Sequence, residues 1–296
     1  MKGANGKLRI LHIGKYFPPF AGGMESFLSD IVREQCEQGL ICSVLVHAHE
    51  PGHALRSETI TSGVGKVSLI RGPLNGVFVY APVSLSFIKL LKREIDRFKP
   101  DVIHIHVPNP SAFLLMALSI ASSIPWVLQW QSDVVSSRYD WRLRLLSRGY
   151  RLLERRLLQR AASIIVSSPT YLATSQSLSP VREKCTVIPL GLRVDRLKVT
   201  VLEEQDLSHS RLKILCVGRL TYYKGHRLLL QAVASIPDAA LYIVGEGSER
   251  SELNRLVREY GLQDRAFLLG GVSEERLVKL YKECDCFCLP SIERTE

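Results

Sequence analysis

The sequence offers no disulfide framework and no run of twenty apolar residues, and it holds only three methionines and three tryptophans among 296 residues. Of its seven cysteines, Cys36, Cys42, Cys185 and Cys216 are scattered singly, the pattern of buried thiols in a reducing compartment. Cys284, Cys286 and Cys288 alternate, so a strand would turn all three to one face. They lack the Cys-x2-Cys spacing of a zinc site and are expected to be buried strand residues, not metal ligands. The most apolar stretch, 112–128, is broken by serines and Pro125 and is short for a membrane span. Residues 1–7 show no secretory signal pattern. Neither Gly-x-Gly-x-x-Gly nor the Walker pattern occurs, which disfavours a nicotinamide dinucleotide and a P-loop. Zinc-finger and RNP motifs are also missing, so nucleic acid is not an expected partner.

Acidic residues are in deficit, 29 against 39 Lys and Arg, for a formal net charge of +10. That balance suits an anionic partner. Eight arginines (138, 142, 144, 148, 151, 155, 156, 160) crowd into one segment with seven interleaved leucines, against Asp140 and Glu154. The segment from Arg138 to Arg160 fits an amphipathic helix on anionic lipid. A surface helix with a solvated basic face fits the same pattern.

The rest of the chain alternates short apolar runs with helical periodicity. Strands are expected at 8–14, 41–47, 67–70, 102–106, 126–130, 164–167 and 186–188, and helices at 24–38, 85–98, 111–122 and 141–160. Runs without in/out alternation, joined by helices, describe parallel strands buried on both faces. Residues 191–210 carry no core pattern and read as a linker. A second series follows, with strands at 212–217, 240–244, 266–269 and 284–289 and helices at 225–234, 251–260 and 274–282. The expected fold is α/β, two tandem doubly wound domains: 1–190, a linker 191–210, and a smaller 211–296.

Four segments carry candidate chemistry. Gly218-Arg219-Leu220-Thr221-Tyr222-Tyr223-Lys224-Gly225 follows a strand and opens a helix, where Arg219 and Lys224 would suit a diphosphate. An exposed turn would read the same way. Gly245-Glu246-Gly247 permits close backbone approach, to a ligand or simply in a tight turn. His104 and His106 point to one side of a strand, and His106 lies nearer the ligand-facing end; core packing is the competing reading. Gly22-Gly23 at a helix start would expose backbone N–H groups to a phosphate or sugar oxygen.

In their order and spacing these segments resemble the family 4 glycosyltransferases, retaining sugar-nucleotide-dependent enzymes of GT-B fold, with two Rossmann-like domains. The resemblance spans almost the whole chain and is similar in flavour to bacterial enzymes of lipopolysaccharide or exopolysaccharide assembly. It also rests on Tyr16-Phe17-Pro18-Pro19, Pro108-Asn109, Trp130-Gln131-Ser132-Asp133, Ser167-Ser168-Pro169, Val187-Ile188-Pro189-Leu190-Gly191, and Pro290-Ser291 with Arg294-Thr295-Glu296. It implies that Gly218, Arg219, Lys224, Gly245, Glu246, Arg294 and Glu296 serve the donor, with Gly22-Gly23 approaching its diphosphate. His106, Arg219, Lys224 and Glu296 would be the catalytic set, His106 beside the sugar ring. Asn109, Gln131 and Asp133 would lie on the acceptor side. Gln131 stands where the family often has His; Gln still hydrogen-bonds but takes no proton at neutral pH.

The resemblance implies no metal and no cofactor: the partners are a nucleotide sugar, a lipid-linked or oligosaccharide acceptor and an anionic membrane surface. The expected place is the cytoplasm, or the inner face of the cytoplasmic membrane as a peripheral protein. The expected reaction transfers a hexose with retention in cell-surface polysaccharide biosynthesis. Glu296 resembles the first of two glutamates separated by seven residues, so the second domain is expected to be C-terminally truncated and to bind donor weakly. Two alternatives follow: a non-catalytic remnant that keeps acceptor or membrane binding, and a GT-B sugar-nucleotide epimerase.

Overall fold

The computed structural model describes residues 6–20, 22–52, 55–62, 65–78, 81–134, 141–191 and 212–292. The chain divides into two compact units, Met1–Gly191 and Leu192–Arg294.

The first unit is built on an eight-stranded sheet. Its strands are β1 (Arg9–Ile13), β2 (Ile41–His47), β3 (Arg56–Ser62), β4 (Gly65–Gly72), β7 (Val102–Val107), β8 (Trp126–Trp130), β9 (Ser163–Val166) and β10 (Cys185–Val187). A small antiparallel ribbon, β5 (Gly76–Phe78) with β6 (Ala81–Val83), stands apart. The order is β10-β9-β8-β7-β1-β2-β4-β3, parallel except where β3 returns against β4. The sequence of strands therefore reverses between β1 and β7, the usual place for a ligand crevice at their carboxyl ends. One face packs Leu11, Ile13, Ile103, Ile105 and Trp126 against helix α2 (Phe87–Phe98) and its neighbours. The other packs Ile10, Val44 and Val46 against Leu28, Val32 and Cys36 of helix α1 (Gly23–Glu37), whose spacing of four keeps them on one stripe.

Helix α3 (Trp141–Arg160) is the arginine-rich segment. It is seated by Leu157, Leu158 and Glu154, while Leu145, Leu146, Leu152, Leu153 and Arg148, Arg151, Arg155 and Arg156 are exposed. Glu154 accepts a 2.9 Å hydrogen bond from the Ser177 hydroxyl, and its other oxygen is buried without a partner. Burial, then the nearby Asp133 carboxylate, pushes its carboxyl up to about 7 against the opposing hydrogen bond from Ser177. Arg138 and Asp140 lie outside the described residues.

The second unit carries four parallel strands, β11 (Leu212–Val217), β12 (Ala239–Val244), β13 (Ala266–Gly270) and β14 (Cys286–Phe287), ordered β13-β12-β11-β14. Helices α5 (His226–Ala234), α6 (Arg250–Glu259) and α7 (Glu274–Glu283) connect them. A short helix α4 (Pro169–Thr174), capped by Ser168, belongs to the first unit. The reversal again falls beside the first strand, between β11 and β14. Two loops interlock there. Gly245, at φ +141°, lies so close to the Gly218 carbonyl that a Cβ would collide with it, and a Cβ on Gly247 would strike the Leu220 carbonyl. Leu220 N–H donates to the Glu246 carbonyl (2.9 Å) and Glu249 N–H to that of Leu220 (2.9 Å).

Several expectations are corrected. Residues 111–122 form two 3-10 segments, Pro110–Ala117 and Ser119–Ala121, not an α-helix. Strand 284–289 shrinks to two residues; Cys286 is exposed, and Cys284 and Cys288 are only half-buried. Cys185 is likewise half-buried, and Cys36 and Cys42 are neighbours in space rather than isolated thiols. Strand β3 was not expected, because Arg56-Ser57-Glu58-Thr59 is a polar edge with little apolar signal. Apart from Gly191, the expected linker lies outside the described residues.

Two outcomes test these contacts. Gly245→Ala should lower stability by about 1–3 kcal/mol through backbone strain, plus the cost of separating two packed loops. Gly261→Ala, at φ +64° with open space around it, should cost less. Urea midpoints decide the order. For Glu154, the native state holds a proton between the ordinary carboxyl value of 4.5 and about 7, where the unfolded chain has released it. Its contribution is therefore fully present below pH 4.5 and declines as pH rises through 7. Glu154→Gln should flatten this decline, gaining up to about 3 kcal/mol at pH 8 relative to wild type. Equal pH slopes for both proteins would refute it.

Candidate functional site

In the second unit, the candidate donor residues gather at the carboxyl end of β11. Gly218 leaves the strand with its N–H on the Val244 carbonyl (2.9 Å). The Lys224 stem runs over Gly218, since a Cβ there would meet its side-chain carbons at 3.6–3.9 Å. The Arg219 guanidinium donates to the Tyr223 hydroxyl (3.1 Å), one turn before α5. Lys224 ends a 3-10 turn over Tyr222–Lys224, with its ammonium 5.7 Å from the Tyr223 ring centre. Gly225 follows at φ +68°, so close to the Pro290 carbonyl that no side chain would fit. Ile292 N–H donates to the Tyr223 carbonyl (2.9 Å), which ties the segment after β14 to the same turn.

Helix α5 therefore starts from Gly225 with no side-chain cap and no acidic residue in its first turn. Its first residue, His226, is buried between the Arg219 carbonyl (3.2 Å) and the Cys216 thiol (3.5 Å). Burial holds this imidazole below its ordinary pKa. The result is two cations beside a helix N-terminus, an anion-binding arrangement. Glu246 pairs with Arg250 (3.2 Å) and accepts from Gly271 N–H (3.3 Å), so it is engaged with its own helix and the neighbouring loop. Arg294 and Glu296 lie outside the described residues.

In the first unit, Gly22-Gly23 opens α1. Gly22 is the N-cap of α1, but the carboxylate of Glu25 folds back over it, and a Cβ on Gly22 would collide with that oxygen. Glu25 is buried at 6% exposure. A carboxyl group thus sits at the positive end of the α1 dipole. Sequence reasoning missed Glu25; its position three residues into α1, after two glycines, was the available signal.

His106 is 1% exposed and packed with His12 and His104, 0% and 4% exposed, near the carboxyl end of β7. Parallel register sets His12 beside His104, and the His12 Nδ1 lies 3.2 Å from the His106 Nε2. Burial, and then the neighbouring rings, hold His104 and His106 well below the usual imidazole range.

The acceptor-side candidates differ in their freedom. Asp133 accepts from Trp130 Nε1 (3.0 Å), the Tyr171 hydroxyl (2.8 Å) and the Ser175 hydroxyl (2.8 and 3.0 Å). It anchors the end of β8 to α4 and the turn after it, and burial raises the Tyr171 pKa. Asn109 is buried and caps the 3-10 segment through Ser111 N–H (3.2 Å). Gln131 donates its N–H to the Val107 carbonyl (3.1 Å) and keeps a buried amide nitrogen without a partner in the structure. The Asn109 amide nitrogen is likewise buried without a partner, so both amides keep unused hydrogen-bonding capacity. Arg71, which the sequence did not single out, shapes the same edge by donating to the Phe17 and Pro18 carbonyls (3.2 and 2.6 Å).

Comparison with known proteins places this geometry. The family model Glycosyltransferase Family 4 matches residues 21–196, and Glycosyl transferases group 1 matches 201–296. O-antigen chain mannosyltransferase C of Escherichia coli is 29% identical over 98% of this chain and 74% of its own length. D-rhamnosyltransferase WbpZ of Pseudomonas aeruginosa is 31% identical over 98% of this chain and 72% of its own. Sucrose-phosphate synthase from Thermosynechococcus elongatus superposes with a TM-score of 0.77 at 22% identity, over 96% of this chain and 76% of that one. Anabaena HepE in complex with UDP and glucose gives 0.66 at 18%, over 97% and 75%. At these identities the structural likeness establishes the fold alone. With a family model over most of the first unit and a 31% identical relative along nearly its whole length, the chain belongs to glycosyltransferase family 4 and has the GT-B fold.

Proposed function

We propose that the chain transfers a hexose from a nucleotide sugar to a hydroxyl of a lipid-linked or oligosaccharide acceptor, with retention, in the assembly of cell-surface polysaccharide. The observation that carries the donor half is the convergence of Arg219 and Lys224 at the uncapped start of α5. Charge grows on the departing diphosphate as the anomeric carbon–oxygen bond breaks, and fixed cations there lower the barrier. The new bond forms from the acceptor oxygen to the same carbon, and its proton passes to the departing phosphate oxygen. That route needs no protein nucleophile. Of the first-unit candidates, His106 is buried and Asp133 is hydrogen-bonded to three side chains, so neither presents an attacking atom.

Asn109 and Gln131, each with a buried amide nitrogen that has no partner among the described residues, support the acceptor half, as groups that can donate to hydroxyls. The relatives named for O-antigen mannosyl and rhamnosyl transfer support the polysaccharide setting. HepE, which holds UDP and glucose, supports a nucleotide-sugar donor.

No helix among the described residues is long and apolar enough to cross a membrane. We propose that α3 meets the lipid surface instead. Leu145 and Leu152, 72% and 54% exposed, are seven residues apart on the side opposite Glu154 and Leu157, with Arg148 and Arg156 beside them.

Arg219→Ala and Lys224→Ala should each cost about 1.5–3 kcal/mol, the worth of a charged hydrogen bond, or roughly 10- to 150-fold in kcat/KM for donor. Unchanged transfer rates in the double variant would sink the diphosphate assignment. Replacing Arg148, Arg151, Arg155 and Arg156 with Ala should weaken binding to phosphatidylglycerol vesicles by about 1 kcal/mol per residue, two to three decades in total. Sedimentation with such vesicles tests this, and wild-type-like binding by the fourfold variant counts against the membrane role.

A further inference from the structure

The ribbon of β5 and β6 takes no part in the proposed reaction, and it turns apolar side chains to water. From Gly72 to Ile88 no residue is charged, in a chain where 23% are. Among the described residues the ribbon pairs with no other strand, and a lone two-stranded ribbon is marginal in water. Its base is held in place. Asn75 N–H donates to the Val83 carbonyl (2.9 Å), and the Asn75 side-chain oxygen accepts from Leu85 N–H (3.0 Å). Leu74 and Pro82 are buried at that base. Beyond it, Val77, Phe78 and Leu85 are 58%, 58% and 81% exposed. Apolar side chains gathered on a fixed, uncharged element mark a contact surface.

The surroundings say what that contact is. The ribbon leaves the carboxyl end of β4 and returns into α2, and β6 rests on the 3-10 segment Pro110–Ala117. Helix α3 packs on the same segment, with the Tyr150 ring 5.3 Å from that of Phe113. The ribbon and the exposed leucines of α3 therefore share one neighbour, whose Phe113, Leu114 and Met116 are themselves only half-buried. Past Leu85, the outer face of α2 carries Lys89, Lys92 and Arg93 around a shallow depression, against Asp96. Apolar anchors are thus sorted to the ribbon and cations to its rim.

We infer that the β5–β6 ribbon inserts Val77, Phe78 and Leu85 into the acyl region of an anionic bilayer, with Lys89, Lys92 and Arg93 at its headgroups. A bilayer needs only a few apolar anchors backed by cations. A stable protein interface buries roughly 1,200–2,000 Å², far more than three side chains on a ribbon cover. The inference rests on the reading of α3 as a lipid contact for the kind of surface met, and on different residues for how it is met. Arginines on α3 attract the surface from a distance, while the ribbon supplies burial that salt does not screen. Because the ribbon follows the carboxyl end of β4, insertion brings the crevice side of the first unit toward the lipid, where a lipid-linked hydroxyl would arrive.

The test is sedimentation of the full chain with phosphatidylglycerol vesicles at about 0.1 M and about 1 M salt, the second of which shortens screening to about 3 Å and leaves the apolar part of binding. Wild type should keep measurable binding at the higher salt. Val77→Ser/Phe78→Ser/Leu85→Ser, three changes at exposed positions that spare the core, should weaken that salt-resistant binding by about 10- to 100-fold. The variant without Arg148, Arg151, Arg155 and Arg156 should keep it, so failure of α3 and failure of the ribbon are read separately. Phe78→Trp should add emission, above that of wild type, that shifts to the blue on vesicles and is quenched by lipids brominated in the acyl chain. Salt-resistant binding that the triple variant retains, or an added tryptophan that brominated lipid leaves unquenched, overturns the proposal. So does a wild type that binds no vesicles but forms a dimer that the triple variant dissolves, which would make the occupant a second copy of the chain.

Discussion

Both units depend on one constraint: a first strand flanked on both sides by parallel neighbours. β1 pairs with β2 and β7, and β11 pairs with β12 and β14. Connections to either side must leave the carboxyl ends in opposite directions, which opens a gap above the first strand. In the second unit that gap is bordered by the loops 218–225 and 245–249. Their carbonyls and glycines are packed so closely that the position of Lys224 follows from backbone contacts rather than from flexible side chains. A lysine stem held in this way has less ordering entropy to lose on meeting an anion. The first-unit crevice obeys the same geometry, with Arg71 fixing the loop after β1 through two main-chain oxygens.

Buried polar groups separate structural from chemical duty. Asp133 looks functional in isolation, yet its carboxylate is occupied by Trp130, Tyr171 and Ser175. Asp133 is half-buried, and these three donors fix the end of β8 against α4. In the histidine cluster the His12 ring is hydrogen-bonded to His106 and Gln35, while His104 Nε2 and His106 Nδ1 are buried with no partner among the described residues. Glu154 lies between them: Ser177 serves one oxygen, the Tyr150 hydroxyl lies close, and burial outweighs both so that the group holds its proton.

The parallel strands were legible because each is a short apolar run with no polar alternation. Ile41–His47, Trp126–Trp130 and Leu212–Val217 begin and end where the pattern says. The polar edge β3 and the ribbon of β5 and β6 carry too few apolar residues to register that way. The alternation of His104 and His106 correctly put both on one face, but their depth depends on His12 and Gln35, ninety and more than sixty residues away. No local pattern reports such a meeting. The glycines of 245–247 suggested close approach, and the partner proved to be the main chain of Gly218 and Leu220. Glu25 was passed over because a glutamate in a first helical turn is ordinary; only its burial against Gly22 makes it informative.

That burial bears on which unit takes which substrate. Two helices start at the carboxyl ends of first strands, α1 after β1 and α5 after β11, and each presents the positive end of its dipole. At α1 the chain's own carboxylate covers the N-cap, so a diphosphate arriving there would confront Glu25 at short range in a site with little water to screen it. At α5 the cap is Gly225, the first turn has no acid, and Arg219 and Lys224 add two positive charges. The same backbone geometry is thus charged in opposite senses in the two units. That contrast suits phosphates at the start of α5 and hydroxyl groups near the start of α1, the division on which the proposed reaction rests.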